Sequence, residues 1–239
     1  MNKDVARTVI GIIGNVISFF LFLSPVPTFV TIWKAKSVQA FKPDPYLATI
    51  LNCAMWTVYG LPFVKPDSIL VLTINAIGLL IEAIYISIFL IYSDGAKRKK
   101  IVYFLLGEFI FWAIIFVITM AALHGPKRSY LVGIICLILN ILMYASPLTV
   151  MRRVITTKSV KYMPFYLSLA NFANGIIWFV YALLKFDPFV LIPNGLGALS
   201  GAVQLILYAT YYKSTKWDED EPDPAPEVQL SAGGESSQV

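Results

Sequence analysis

A chain of 239 residues that is 58% hydrophobic and 14% charged, with a mean hydropathy of +0.72, carries too little polar surface for a soluble domain of its size. Its net charge of +5 lies in short basic segments beside long apolar runs, which excludes a nucleic-acid-binding reading and points to membrane topology.

In chain order the apolar runs are 8–33, 45–64, 68–93, 101–123, 129–151, 162–184 and 188–212. Each is long enough to cross about 30 Å of hydrocarbon as a helix rising about 1.5 Å per residue. Glu82 interrupts the third run and Glu108 the fourth. Backbone in lipid must satisfy its own hydrogen bonds, so the runs predict an all-α integral membrane protein of seven transmembrane helices. The first run is too long for a signal-peptide core and has no clear small-x-small site, and is read as a retained helix. Cys53 and Cys136, in the second and fifth runs, read as core filler, and His124 as an interfacial residue at a helix end. With no nucleophile–base pair, metal cluster or phosphate loop, the sequence predicts no enzyme, no cofactor and no metal. The acidic, Pro- and Ser-rich sequence from Ser214 onward is expected to be a solvated, disordered tail.

Lys and Arg set the orientation. The N-terminus and the even-sided loops hold Lys3, Arg7, Lys65, Lys127, Arg128 and Lys185, six in all; the opposite side holds the other thirteen. The richer side is cytosolic by the positive-inside rule, so the C-terminus is expected in the cytosol and the N-terminus outside or in a lumen.

The chain repeats itself. Residues 24–38, SPVPTFVTIWKAKSV, and 146–160, SPLTVMRRVITTKSV, share a Ser-Pro pair and a Lys-Ser-Val triplet at one offset of 122. At that offset Ser18 matches Asn140, Leu21 matches Met143, Pro25 matches Pro147, Asn52 matches Asn174 and Trp56 matches Trp178. At 119, Pro45 matches Pro164, and Asn75 matches Asn194, each followed three residues later by a glycine, Gly78 and Gly197. The division expected is residues 1–93 as a first three-helix repeat, 94–125 as a linker helix, 126–213 as a second repeat and 214–239 as the tail. Three helices turn the chain over and a fourth turns it back, so the two triplets run parallel (3+1+3) and a substrate site is expected between them near the midplane.

Asn52 and Trp56 share a helix face, as do Asn174 and Trp178. Helical rise puts Ser18, Asn52, Trp56 and Asn75 at roughly 9–15 Å depth, in one layer. Asparagine supplies neutral donors and acceptors, and tryptophan a broad apolar face. That combination suits a sugar, with hydroxyls on its rim and C–H groups on its faces. Single asparagines commonly glue helices together and tryptophans commonly sit at membrane interfaces; three duplicated asparagine pairs at one depth favour a site. Pro25, Pro45, Pro147 and Pro164 fall near the cytosolic helix ends, as hinges or as ordinary kinks and helix starts. No charged residue falls in the paired layer. Glu82 and Glu108 are expected to be paired or snorkelling structural groups, with a proton relay the other option, so the carrier reads as passive.

The phrases GIIGNVISFFLFLSPVPTF, TINAIGLLIEAIYI, MYASPLTVMRRVITTKSV and DPFVLIPNGLGALSGAVQLILY resemble the plant SWEET sugar transporters, of the MtN3/saliva and PQ-loop type, and the resemblance runs from about Val9 to Tyr212. It implies energy-independent, bidirectional sugar movement by alternating access. It assigns substrate contact to Asn75 and Asn194, with Trp178 and Trp56 lining the pocket and Ser18, Leu21, Asn52, Asn140, Met143 and Asn174 at further lining positions. It assigns Pro25, Pro45, Pro147 and Pro164 to an inner gate, with Gln204 as the PQ-loop glutamine, and Tyr59 and Asp187 to an outer gate. One departure is the KPDPY at the start of the second run. Bulky Asn52, Asn140, Met143 and Asn174 imply a monosaccharide such as glucose rather than sucrose. The whole sequence is similar to the vacuolar-membrane branch, and the family implies homo-oligomers. The rivals are a PQ-loop carrier of another small solute and a seven-helix receptor.

Overall fold

The protein is described by a computed structural model covering residues 2–217; the tail from residue 218 lies outside the described residues. Nine α-helices follow in order among the described residues: α1 Lys3–Leu23, α2 Val26–Ala35, α3 Asp44–Tyr59, α4 Ile69–Tyr92, α5 Gly95–Val117, α6 Pro126–Met143, α7 Ala145–Thr157, α8 Phe165–Leu184 and α9 Pro188–Tyr211. A π-helical turn, Ile118–Ala122, extends α5. α1 with α2 and α6 with α7 form bent spans, so six helical stretches are long and apolar enough to cross a membrane. The seventh predicted span is the 16-residue α3, which stops at Tyr59 rather than near residue 64.

The repeated phrase marks paired helix breaks. Pro25 caps α2 and has no N–H to continue the ladder of α1, while the Ser24 hydroxyl turns back to the Leu21 carbonyl at 2.7 Å. The matching break falls at Tyr144, with Pro147 in the first turn of α7. Lys36 and Lys158, which open the two Lys-Ser-Val triplets, are both left-handed (φ 52° and 53°) and end α2 and α7. The valine two residues on, Val38 or Val160, folds back into the core beside the helix just ended.

The fourth span begins six residues before the expected position 101. Asp94 caps it by accepting from the Lys97 N–H at 2.8 Å, so Lys97, Arg98, Lys99 and Lys100 lie in helix rather than loop. Arg98 closes the end of α4, donating to the carbonyls of Leu90, Ile91 and Ser93. At the other terminus, Ser214 and Thr215 do not start a free tail. The Thr215 hydroxyl accepts from the Val160 N–H at 2.9 Å, and the Ser214 hydroxyl donates to the Lys158 carbonyl at 2.6 Å.

Helix contacts mirror one another. α4 packs on α1 and α3 as α9 packs on α6 and α8, and α1 meets α8 as α6 meets α3; α5 lies against α3 and α4. Small residues set the close approaches. A Cβ on Gly14 would sit 3.0 Å from the Trp178 ring, and one on Gly175 only 2.6 Å from the Ala198 backbone nitrogen. Large apolar side chains cover the outside, including Val9, Ile12, Val16 and Phe20 on α1 and Phe109, Ile110, Ile114 and Val117 on α5. Such a surface suits a bundle whose solvent is lipid.

Candidate functional site

The mirrored helices line a partly open cavity of about 280 Å³. All ten predicted substrate positions line it: Ser18 and Leu21 from α1, Asn52 and Trp56 from α3, Asn75 from α4, Asn140 and Met143 from α6, Asn174 and Trp178 from α8, and Asn194 from α9. The layer derived from helical rise is a cavity wall, not a lipid-facing belt.

Each half reaches into the other through its tryptophan. The Trp178 Nε1–H donates to the Ser18 hydroxyl at 3.1 Å, and the Trp56 Nε1–H donates to Asn140 Oδ1 at 3.3 Å. Ser18 and Asn140 are repeat mates, so these are one bond written twice. The Ser18 hydroxyl donates onward to Asn174 Oδ1 at 2.6 Å, whereas Asn52 Oδ1, the mate of that acceptor, is buried without a partner. With their N–H groups spent, the indoles offer flat apolar faces.

Asn75 and Asn194 are held alike. Each donates one amide N–H to the carbonyl four residues back, Val71 or Val190, at 2.8 Å. The carboxamide is thereby fixed, with its oxygen and second N–H remaining for a guest. Gly78 and Gly197 complete the pattern, since a Cβ on either would clash, with the Phe22 ring in one half and the Tyr144 hydroxyl in the other. Phe22 and Tyr144 also match at 122, a pairing that depends on shape and so is hidden by the change of residue type.

The end of the cavity where α3 finishes and α9 begins is latched. The Tyr59 hydroxyl, fully buried, donates to both Asp187 oxygens at 2.7 and 2.8 Å, and Lys65 lies 3.6 Å from the same carboxylate. The mirror image is present and was missed in the sequence. Lys185 pairs with Asp67, and the Tyr181 hydroxyl donates to the Asp67 carbonyl at 3.4 Å. Arg7 stacks over the Tyr181 ring at 4.0 Å and donates to that same carbonyl at 2.6 Å. Offsets of 120 for Lys65/Lys185 and Asp67/Asp187, and 122 for Tyr59/Tyr181, were the available signal.

At the opposite end Pro25, Pro147 and Gln204 line the cavity, while Pro45 and Pro164 do not. Pro45 occupies the first turn of α3 and Pro164 caps α8, so those two start helices rather than kink them. Gln204 accepts from the Ser168 hydroxyl at 3.1 Å, which ties α9 to α8. Two expectations need correction. Glu82 does not snorkel or pair: it is 3% exposed, lines the cavity, and its Oε2 has no hydrogen-bond partner, because α4 carries it inward on the same side as Asn75. Glu108 on α5 likewise has its Oε2 buried with no hydrogen-bond partner. Cys53 is buried, in keeping with its reading as filler, and it also lines the cavity, with Thr49, Asn171 and Ser200. Among the described residues no cluster could hold a metal ion.

A family model described as "sugar efflux transporter for intercellular exchange" (MtN3_slv) matches residues 8–97 and 130–216. The chain belongs to this family. It is 61% identical over 219 residues to the bidirectional sugar transporter SWEET5 of Arabidopsis thaliana, covering 91% of each chain. To the bidirectional sugar transporter SWEET4 of the same plant it is 58% identical, over 92% of this chain and 88% of that one. Its fold superposes on the solved structure of a eukaryotic SWEET transporter with a TM-score of 0.87 and 41% identity, covering 89% of this chain and all of that one. These relatives are named transporters, not enzymes, and the chain is a multi-pass membrane protein.

Proposed function

We propose that the chain is a passive, bidirectional carrier of a monosaccharide, glucose in the first instance. The carrying observation is that Asn75 and Asn194, with Trp56 and Trp178, face one small cavity from the two halves of a repeat. The printed names of the relatives support sugar as the cargo. A cavity of about 280 Å³ falls just below the roughly 300–1,000 Å³ of ligand pockets, which favours one sugar ring over two.

The architecture is read as 3+1+3: α1 to α4 form one repeat, α6 to α9 the other, and α5 with its π turn joins them. Two separate family matches, with the linker between, support that division. Movement is read as alternating access, with Tyr59 and Asp187 as the outer gate and the segments around Pro25, Pro45, Pro147, Pro164 and Gln204 as the inner one. The Lys/Arg bias puts the latched end outside and the C-terminus in the cytosol. Residence in the vacuolar membrane and assembly into homo-oligomers complete the reading; a fluorescent fusion and cross-linking in native membranes test them.

The test is uptake of labelled glucose and sucrose into liposomes holding the purified full chain. Glucose enters down its gradient, unaffected by a proton ionophore, and sucrose enters far more slowly. Accumulation against the gradient, driven by protons, refutes the passive reading.

A further inference from the structure

We propose that Glu82 forms a second sugar-binding station in the same cavity, one that takes neighbouring hydroxyls of the guest on its way between the asparagine layer and the Pro25/Pro147 end. The inference rests on the sugar-carrier reading and adds a site to it.

The repeat itself isolates this residue. α4 and α9 align at offset 119 through Asn75/Asn194 and Gly78/Gly197, and the next turn breaks the match: Glu82 stands opposite Gly201, and Tyr85 opposite Gln204. On the α9 side Gly201 lets α8 come close enough that a Cβ there would lie 2.8 Å from the Phe172 Cα. That side is closed by backbone. On the α4 side the equivalent place holds a carboxyl group, 3% exposed and on the cavity wall.

Among the described residues nothing hydrogen-bonds Glu82 Oε2. The Tyr46 hydroxyl is likewise buried without a hydrogen-bond partner, while Thr49, Tyr85 and Gln204 are engaged. Thr49 donates to the Pro45 carbonyl at 3.0 Å, Tyr85 to the Phe22 carbonyl at 2.9 Å, and Gln204 bonds Ser168 and Ser200. No Lys, Arg or His lines the cavity. Tyr46, Tyr85 and Cys53 are within electrostatic reach of the carboxyl and carry no positive charge. A buried carboxyl oxygen without a partner is costly in the empty carrier, and that cost is relieved whenever a guest supplies a donor. A passing polyol does so, because a carboxyl can meet two adjacent hydroxyls at once. Glu82 lies seven residues beyond Asn75 on one helix, roughly 10 Å along the axis. One sugar ring therefore meets the two in succession, and the carboxyl shares the desolvation that the ring would otherwise bear alone.

The experiment titrates the purified full chain with glucose and each monodeoxyglucose, following tryptophan fluorescence, for wild type, Glu82→Ala, Glu82→Gln and Asn194→Ala. Glu82→Ala weakens glucose binding about tenfold, and Glu82→Gln, which keeps hydrogen bonding, by less than about threefold. At least one deoxy analogue that binds poorly to wild type suffers no further loss with Glu82→Ala, the signature of a shared contact. The proposal is overturned if Glu82→Ala binds as tightly as wild type, or if every deoxy penalty persists unchanged in that variant. It is also overturned if wild-type transport needs a proton gradient and Glu82→Gln abolishes that need, which assigns the carboxyl to a proton. Failure of the underlying reading looks different: folded wild type then neither binds nor moves any sugar, whereas failure of the second station alone leaves binding that Asn194→Ala still destroys.

Discussion

Replacing Tyr59 by Phe removes one oxygen from a fully buried site and tests the latch directly. That oxygen carries the hydroxyl that donates to both oxygens of Asp187, at 2.7 and 2.8 Å, while the carboxylate is 2% exposed. A hydrogen bond to a charged group contributes about 1.5–3 kcal/mol. Opening that end lets water take over both partners, so the bond favours the closed arrangement by most of that amount. At about 1.4 kcal/mol per tenfold, its loss shifts the balance toward the open form by about 10- to 100-fold. Lys65, 3.6 Å from Asp187, remains and limits the shift to the lower part of that range. The assay uses a background in which both buried cysteines, Cys53 and Cys136, are replaced, with Val71→Cys, buried beneath the latch on the cavity wall, as the reporter. A membrane-impermeant thiol reagent is added outside sealed vesicles. Tyr59→Phe raises the labelling rate about tenfold or more. Equal labelling rates in a folded variant would refute the assignment of this pair as a gate.

Further outcomes follow from the same geometry. Asn194→Ala lowers liposome glucose uptake at least about tenfold in correctly inserted protein, since it removes the one carboxamide that the Val190 carbonyl orients toward the cavity; uptake with labelled glucose checks it. Gly175→Ala places a Cβ 2.6 Å from the Ala198 backbone nitrogen, forces α8 from α9 and destabilises the fold by about 1–3 kcal/mol, whereas Gly107→Ala, with nothing within 4 Å, does not; thermal unfolding in detergent separates the two. Asp67, in the loop before α4, is held below its ordinary carboxylate range chiefly by the hydrogen bond from Lys185. Its contribution is therefore complete above that ordinary range and is lost only as the pH falls through the still lower folded value. Val71→Cys labelling, normalised to the thiolate fraction of the reporter, thus stays constant between about pH 5 and pH 8, while Asp67→Asn speeds it throughout that range.

Seven apolar runs, their order and the paired polar layer were all legible in the sequence, because lipid forces long apolar helices and duplication leaves a fixed offset. Ser18, Asn52, Asn75 and their mates could be found because like residues recur. Two kinds of information were not legible. Phe22 and Tyr144 are mates in shape but not in letter, and each is recognised only by the glycine it covers. Lys65 and Lys185 entered the sequence reading only as charges that set orientation, and Asp67 not at all, since their pairing depends on how two loops meet at the top of the cavity. Glu82 was misjudged for a third reason. Hydropathy shows only that it interrupts an apolar run; its seven-residue spacing from Asn75, two helical turns, was the available signal that both share the side of α4 that faces the cavity.

The bonds that join the two halves are not spread evenly along the cavity. Tyr59 to Asp187, Lys65 to Asp187, Lys185 to Asp67 and Tyr181 to Asp67 gather at one end, and Trp178 to Ser18 and Trp56 to Asn140 cross at mid-depth. Toward the proline end three bonds run within a half: Tyr85 to Phe22, Ser168 to Gln204, and Thr215 to Val160. In the proposed cycle, opening the latched end must break the first set, while the crossing indole bonds at mid-depth lie on the line about which the halves turn and lengthen least. The breaks at Pro25 and Tyr144 divide the two bent spans just beyond that line. α2 and α7 can therefore follow their own halves without carrying α1 and α6 with them, which is the freedom a carrier needs if only one end of its cavity is to be open at a time.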